Sequence, residues 1–390
     1  VRIVIATGRQ AHYRLAANTF HRRGHGVGLY TSSPRSRLRG FDPAIAYRFI
    51  PAPVALFNGS TRLPTPLWLD ELDSTLFDHL TALALEPCDL VLGAASSSLT
   101  TGRKTQQRGG RYVLDRACPD IRAQQAVMVE EARKAGGRFR TNSNWFIERQ
   151  VAEYEDADLI LSPSNYSRQS FPEHLRRKTI VAPLLGRSSV GLRTPRPAGT
   201  EFTVGVVGGH PLRKGYRYLL EAWQRLALPS ARLRIRSGAD LREFPVIERL
   251  LASLSNVEIV DYVPDISVFY QSCDAFILPS VDDGFGMALF EAVGNGVPSI
   301  ATRNCGASEL LTNERDMLLI DAFSVEQIEM ALLRLYTSPE TRDRLSQYGQ
   351  QTVAALQDGG TDGPYDVGID ELFARIAGHS PTPEAMAAAG

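Results

Sequence analysis

Residues 276–302 read FILPSVDDGFGMALFEAVGNGVPSIAT. A short apolar run closes at Pro279-Ser280. An acidic turn with two glycines follows, a helical pattern starts near Met287, and residues 299–302 return to a strand pattern. Strand, turn, helix and strand in this order form one unit of a parallel α/β sheet. The first amides of a helix have no partner within it and carry partial positive charge, which suits a phosphate. Gly284 and Gly286 would let the backbone approach a ligand closely. Asp283 and Glu291 stand eight apart. With the turn folded back, both carboxylates can face one cleft and grip hydroxyls of a sugar and a ribose. The pattern alone fits an ordinary strand–turn–helix with Asp as its cap equally well.

The same rhythm runs outward in both directions. Strand patterns occur at residues 3–6, 27–31, 90–92, 112–114, 159–161 and 179–182, with amphipathic helical stretches such as 13–23 and 124–135 between them. Residues 186–200, GRSSVGLRTPRPAGT, lack periodicity and read as a linker. Strands then recur at 202–207, 232–236, 257–260, 275–278 and 299–302, with helices at 216–226, 286–294 and 325–336. The expected architecture is α/β: an N-terminal Rossmann-like domain (1–186), a linker (187–200), a C-terminal Rossmann-like domain (201–362), then a helix and loose tail (363–390). Ligands of such doubly wound sheets bind outside the strand C-termini, here in a cleft between two lobes.

Composition narrows the class. The chain has 390 residues, 43% hydrophobic and 22% charged, as in ordinary globular proteins. It contains no continuous apolar stretch of membrane-spanning length. The opening VRIVIA lacks a basic leader and a cleavage site, so it reads as a first strand. The four cysteines are scattered, without CxxC or zinc-like spacing, so a reduced, cytoplasmic protein with no metal is expected. The seven histidines form no HxxH-type pair. Net charge is zero, but residues 1–186 hold 25 Lys and Arg against 17 Asp and Glu, a net +8, leaving −8 for the remainder. A basic half can attract an anionic membrane surface or an anionic acceptor. No nucleic-acid partner is expected.

The quoted stretch resembles the donor signature of retaining GT-B glycosyltransferases of family GT4. The resemblance is carried by Pro279, Ser280, Asp283, Gly284, Phe285, Gly286, Glu291, Ala292, Gly296 and Pro298. The family usually has Glu where this chain has Asp283, one methylene shorter with the charge kept. The resemblance implies a GT-B fold of two Rossmann-like domains. It places Glu291 on ribose hydroxyls and Asp283 beside the donor sugar. The backbone of Gly284, Phe285, Gly286, Met287, Ala288 and Leu289 would contact the sugar and diphosphate. Residues 204–223 resemble the strand–glycine–loop–Lys-Gly–helix segment, putting Lys214 at the diphosphate lysine. Gly209 stands where an Arg is common, and Arg213 is the candidate substitute. The end of VEIVDYV brings Val263 beside the base. Residues 305–309, CGASE, resemble the glycine–Glu turn next to the diphosphate. Gly8 follows strand one, where the family's glycine loop approaches the diphosphate and the acceptor. Asp120 in LDRACPDI holds the place of a family histidine near the reaction centre, and as a residue type it serves equally as a helix N-cap.

These parallels imply hexosyl transfer (EC 2.4) from a UDP- or GDP-linked sugar to a sugar, glycolipid or other hydroxyl acceptor, with retention and without a cofactor. Lys214 and helix-end amides would stabilise the departing diphosphate. Asp283, Lys214 and Asp120 are the catalytic candidates. Bacterial polysaccharide, glycolipid or glycoconjugate assembly is the expected setting, in the cytoplasm or peripherally at the inner face of the membrane. The alternatives are a nucleotide-sugar 2-epimerase or phosphorylase on the same fold, or a non-catalytic nucleotide-sugar-binding protein.

Overall fold

The computed structural model describes residues 1–8, 12–38, 40–52, 66–185, 201–261, 263–358 and 363–378. The expected linker at 187–200 and the tail beyond 378 lie outside these residues.

Two parallel sheets carry the chain. The first has the order β3-β2-β1-β4-β5-β6-β7. Its strands are β1 (Arg2–Thr7), β2 (Gly26–Thr31), β3 (Ala46–Phe49), β4 (Leu90–Ala94), β5 (Arg111–Asp115), β6 (Leu159–Ser162) and β7 (Thr179–Val181). The second has the order β10-β9-β8-β11-β12-β13. It comprises β8 (Phe202–Val207), β9 (Ala231–Arg236), β10 (Val257–Val260), β11 (Ala275–Leu278), β12 (Ser299–Thr302) and β13 (Leu318–Ile320). All recorded pairings are parallel, for example Ile3↔Leu90 and Phe276↔Ser299. Central strands are buried along their length, as in β8 and β11, because helices cover both sheet faces. That is why they read as continuous apolar runs in the sequence.

In each sheet the order reverses direction beside the first strand, between β1 and β4 and between β8 and β11. Connections leave such a point to opposite sides and open a crevice at the strand C-termini. The loops ending β1 and β4, and those ending β8 and β11, supply the two halves of the site below.

All the strands expected from the sequence are present. The two strands not foreseen are β3, a half-exposed edge strand reading AYRF, and the three-residue β13. The helix Leu67–Ala84 was also unforeseen. Trp68, Leu72, Leu76 and Leu83 on it face outward while Phe77 is buried, so no single apolar stripe marks it. The helix Tyr216–Leu226 buries Leu219, Leu220 and Trp223, each contributing about 1.5–3 kcal/mol. The C-terminal helix Pro364–Ile376 returns to the first sheet. A Cβ on Gly368 would meet the Val181 carbonyl at 2.6 Å, and Arg23 pairs with Asp366 at 3.2 Å.

Candidate functional site

The C-terminal half of the site is built where β8 and β11 end. After β11 the chain turns through Ser280–Gly286 into the helix Met287–Gly294. Gly286 caps that helix at φ 85°, with no side-chain cap, so the turn needs glycine there. Asp283 is 7% exposed. Its Oδ2 accepts from Lys214 Nζ at 2.5 Å and from Ser280 Oγ at 3.3 Å, and Arg213 Nη2 lies 3.9 Å from its Oδ1. Burial alone would raise the Asp283 carboxyl. Lys214, Arg213 and these hydrogen bonds outweigh it and hold the group below its ordinary value. The cations act on His210 too: burial, Arg213 and Lys214 push it down to about 4.

Glu291 lies one turn into the helix and accepts from Tyr270 at 2.8 Å. Burial raises its carboxyl, and the Tyr270 hydroxyl, Lys214 and Arg236 act against that rise. Phe285, Ala288 and Leu289 are buried and Met287 is 36% exposed, so this stretch offers a ligand mainly backbone. Val263 follows β10 and packs, half-buried, on the core. Gly209 is exposed with open space around it, whereas Arg213 turns inward to Asp282 and Asp283.

The turn is also the joint between the lobes. Gly284 lies against the loop after β5, and a Cβ there would meet the Ala117 carbonyl at 2.2 Å. The Gly284 carbonyl accepts from Ser164 Oγ at 2.6 Å and Ser167 Oγ at 3.3 Å. Asp282 accepts from Gln124 at 2.8 Å and Tyr166 at 3.1 Å, and lies 3.4 Å from Arg213 Nε. Glu309 accepts from the amides of Asn165 and Tyr166 at 2.8 and 2.6 Å. It therefore caps the first-lobe helix Asn165–Gln169. The turn at 305–309 itself packs on the turn after β11, the Gly306 amide donating to the Asp283 carbonyl at 3.1 Å, while the Glu309 carboxylate is engaged by the first lobe.

The N-terminal half is a cavity of about 370 Å³ at the ends of β1, β4 and β5. Thr7, Gly8, His12, Ser96, Asp115 and Cys118 are among its lining residues. His12 Nε2 lies 2.5 Å from Asp115 Oδ2, with the side chains 15% and 8% exposed. Burial alone would lower the His12 imidazole. The charge and hydrogen bond of Asp115 outweigh it, and the ring is held above its ordinary value. The cavity wall at 94–97 is fixed from below, where Glu153 accepts from the Ser96 and Ser98 amides at 2.6 and 3.0 Å. Arg149 bridges Glu153 to Asp78.

The structure thus gathers Arg213, Lys214, Asp283, Gly284, Gly286 and Glu291 at one sheet end, and puts Gly8 in the opposing cavity. It does not deliver Asp120 to either. Asp120 is 1% exposed, its Oδ1 accepts from the Arg122 amide at 2.8 Å, and Arg122 forks onto both oxygens. Its carboxylate is occupied as the cap of the helix Ile121–Lys134. Sequence reasoning missed His12, Asp115 and the joint formed by Gln124, Ser164, Tyr166 and Asp282. Asp115 carried one signal, a charged residue closing an apolar strand. His12 carried none beyond following the first strand.

The comparisons agree with this geometry. Residues 193–352 match the model of the family described as Glycosyl transferases group 1. The chain is 29% identical over 172 residues to the lipopolysaccharide core biosynthesis glycosyltransferase LpsD of Rhizobium meliloti, covering 44% of this chain. It spans about half the length of that relative, 48%. Among solved structures, it superposes on the sucrose-phosphate synthase of Thermosynechococcus elongatus with a TM-score of 0.71 at 17% identity, covering 97% of this chain and 99% of that one. Anabaena HepE in complex with UDP-glucose gives a TM-score of 0.67 at 13% identity, covering 96% and 99%. The fold is GT-B, as the resemblance implied.

Proposed function

We propose that this chain, whose residues 193–352 match the family described as Glycosyl transferases group 1, is a retaining glycosyltransferase. It moves a sugar from a nucleoside-diphosphate sugar to a hydroxyl acceptor in bacterial glycoconjugate assembly. The observation that carries the reading is the Lys214–Asp283 pair at the mouth of the helix Met287–Gly294, with Glu291 on the same helix. In the proposed complex Glu291 holds the ribose, and the Met287 and Ala288 amides with Lys214 receive the diphosphate. Asp283 lies on the sugar side, and Val263 beside the base. A UDP-linked donor is favoured over a GDP-linked one, because the HepE structure similar to this chain holds UDP-glucose.

The chemistry follows from where charge develops. As the bond from C1 to the diphosphate breaks, negative charge grows on the leaving oxygen. Lys214, Arg213 and the helix-end amides are already arranged to stabilise it, so a metal ion is not required in this scheme. The acceptor oxygen attacks C1 from the face the diphosphate leaves, and the diphosphate takes its proton. Contact of Gly284 with the Ala117 carbonyl brings donor turn and acceptor cavity together and excludes water from the joint. The net +8 of residues 1–186 supports peripheral contact with an anionic membrane.

Calorimetry tests the donor site. UDP binds the wild-type protein, and Glu291→Ala weakens it at least tenfold without loss of fold. Equal affinity for the variant removes Glu291 from the site. Stereochemistry tests the rest: a product inverted at the anomeric carbon rules out retention. Release of a C2-inverted free sugar makes the protein an epimerase, and binding without turnover makes it a non-catalytic receptor.

A further inference from the structure

The pair His12–Asp115 is used by no step above. Nothing in the helix Tyr13–Arg22 needs it, since His12 precedes that helix without capping it through its side chain. Asp115 closes β5, and its carboxylate receives His12 Nε2 at 2.5 Å. The imidazole is stacked on the Tyr13 ring, centroids 4.6 Å apart at 28°. Ring position is therefore set from two sides, with Nε2 against Asp115. The other nitrogen, Nδ1, carries no hydrogen bond among the described residues, in a side chain only 15% exposed. With Nε2 on the Asp115 carboxylate, Nδ1 is the ring nitrogen that can hydrogen-bond a ligand in the cavity His12 lines.

The cavity has the properties of a site for a hydroxyl-bearing ligand. Its volume, about 370 Å³, lies in the range of small-molecule pockets. Its wall alternates apolar surface (Phe77, Ala94) with hydroxyls and carboxylates (Ser97, Asp73). The loop at Ala117 and Cys118 both lines the cavity and touches Gly284 of the donor turn. The cavity that His12 lines therefore abuts the turn proposed to hold the donor.

We propose that the His12–Asp115 pair binds the acceptor: His12 Nδ1 hydrogen-bonds a hydroxyl of a sugar-type acceptor in the N-lobe cavity, and Asp115 fixes the ring that does so. The pair exchanges no proton in this role. It sets the acceptor's position relative to C1, and the diphosphate still takes the proton of the attacking oxygen. The inference rests on the transferase reading, and the test separates the two.

Donor consumption is measured for wild type, His12→Ala, His12→Asn and Asp115→Asn, with UDP-glucose, UDP-galactose and GDP-mannose. Each is run with water alone and with the methyl glycosides of glucose, galactose and mannose. The expected result is that His12→Ala leaves slow hydrolysis by water within about twofold of wild type. Its kcat/KM for the glycoside falls on the order of 10–100-fold, the scale of one buried hydrogen bond. His12→Asn, whose side-chain amide can hydrogen-bond a hydroxyl in place of Nδ1, recovers part of the loss, and Asp115→Asn loses transfer but not hydrolysis. Hydrolysis and transfer falling together would make the pair structural and overturn the proposal. So would unchanged transfer in His12→Ala, or a wild type that hydrolyses donor but that no glycoside accelerates. A wild type that consumes none of the three donors counts against the transferase reading instead. The pair is then judged by NMR of labelled histidine with the same glycosides: a shifted His12 ring upholds it as a sugar site, and an unmoved one overturns it.

Discussion

Replacing Lys214 with Met leaves the Asp283 carboxylate in its buried position without its principal cation. The two side chains are 15% and 10% exposed, so solvent screens the pair little. Breaking a buried pair by removing one partner costs about 3–5 kcal/mol. Ser280 still donates at 3.3 Å and Arg213 stays at 3.9 Å, which places the expected loss near the lower end, about 3 kcal/mol. For a unit of this size each kcal/mol moves the midpoint by roughly 2–4 °C, so the melting temperature should fall by about 6–12 °C. The double variant Lys214→Met with Asp283→Asn removes both charges and should regain most of that stability. Turnover should stay down on the order of 100–1000-fold in both, because neither supplies the cation for the leaving diphosphate. The pH dependence has a definite sign. In the wild type Asp283 has a lowered folded value, so its contribution is present above the unfolded value near about 3.9 and is lost as pH falls through the folded one. In the variant burial dominates and the folded value rises. The deficit is then largest at neutral pH and shrinks on acidification. Calorimetric melting from pH 8 down to 5 reads this directly. A single variant that melts with the wild type, a double variant no better than the single, or a gap that widens as pH falls each refute the reasoning.

Other consequences are as direct. Gly284→Ala drives a methyl into backbone at Ala117 and Cys118, at 2.2 and 2.9 Å, so the joint should open at a cost of about 1–3 kcal/mol. Small-angle scattering should show a larger particle and kcat/KM should fall; an unchanged radius with full activity contradicts the joint. Asp120→Ala should lose about 0.5–2 kcal/mol of helix capping in thermal melts, while Asp120→Asn keeps the cap and near-normal turnover. An inactive but fully stable Asp120→Asn would return this residue to the chemistry. The basic first half should hold the protein on anionic vesicles at low salt and release it as salt rises. Flotation with no retained protein at low salt excludes the membrane contact.

The sequence by itself determined the two parallel sheets, because strands buried on both faces leave continuous apolar runs between helical patterns. It missed β3 and β13, where exposure or three-residue length leaves no such run. It also marked the strand–turn–helix at 275–294, since a glycine pair ahead of a helix with an acid on either side is a local pattern within nine residues; the donor reading of that turn came from the family resemblance. What those acids do was decided only in three dimensions. Asp283 is held by a lysine 69 positions away, and Asp282 by Gln124, 158 positions away on the other lobe. His12 meets Asp115 across 103 positions. Asp120 and Glu309 looked available as charges, yet each is taken by helix amides. The reason is physical: spacing along the chain fixes which groups share one helix or strand. Which buried carboxylate meets which donor depends on how strand ends from two sheets close on each other.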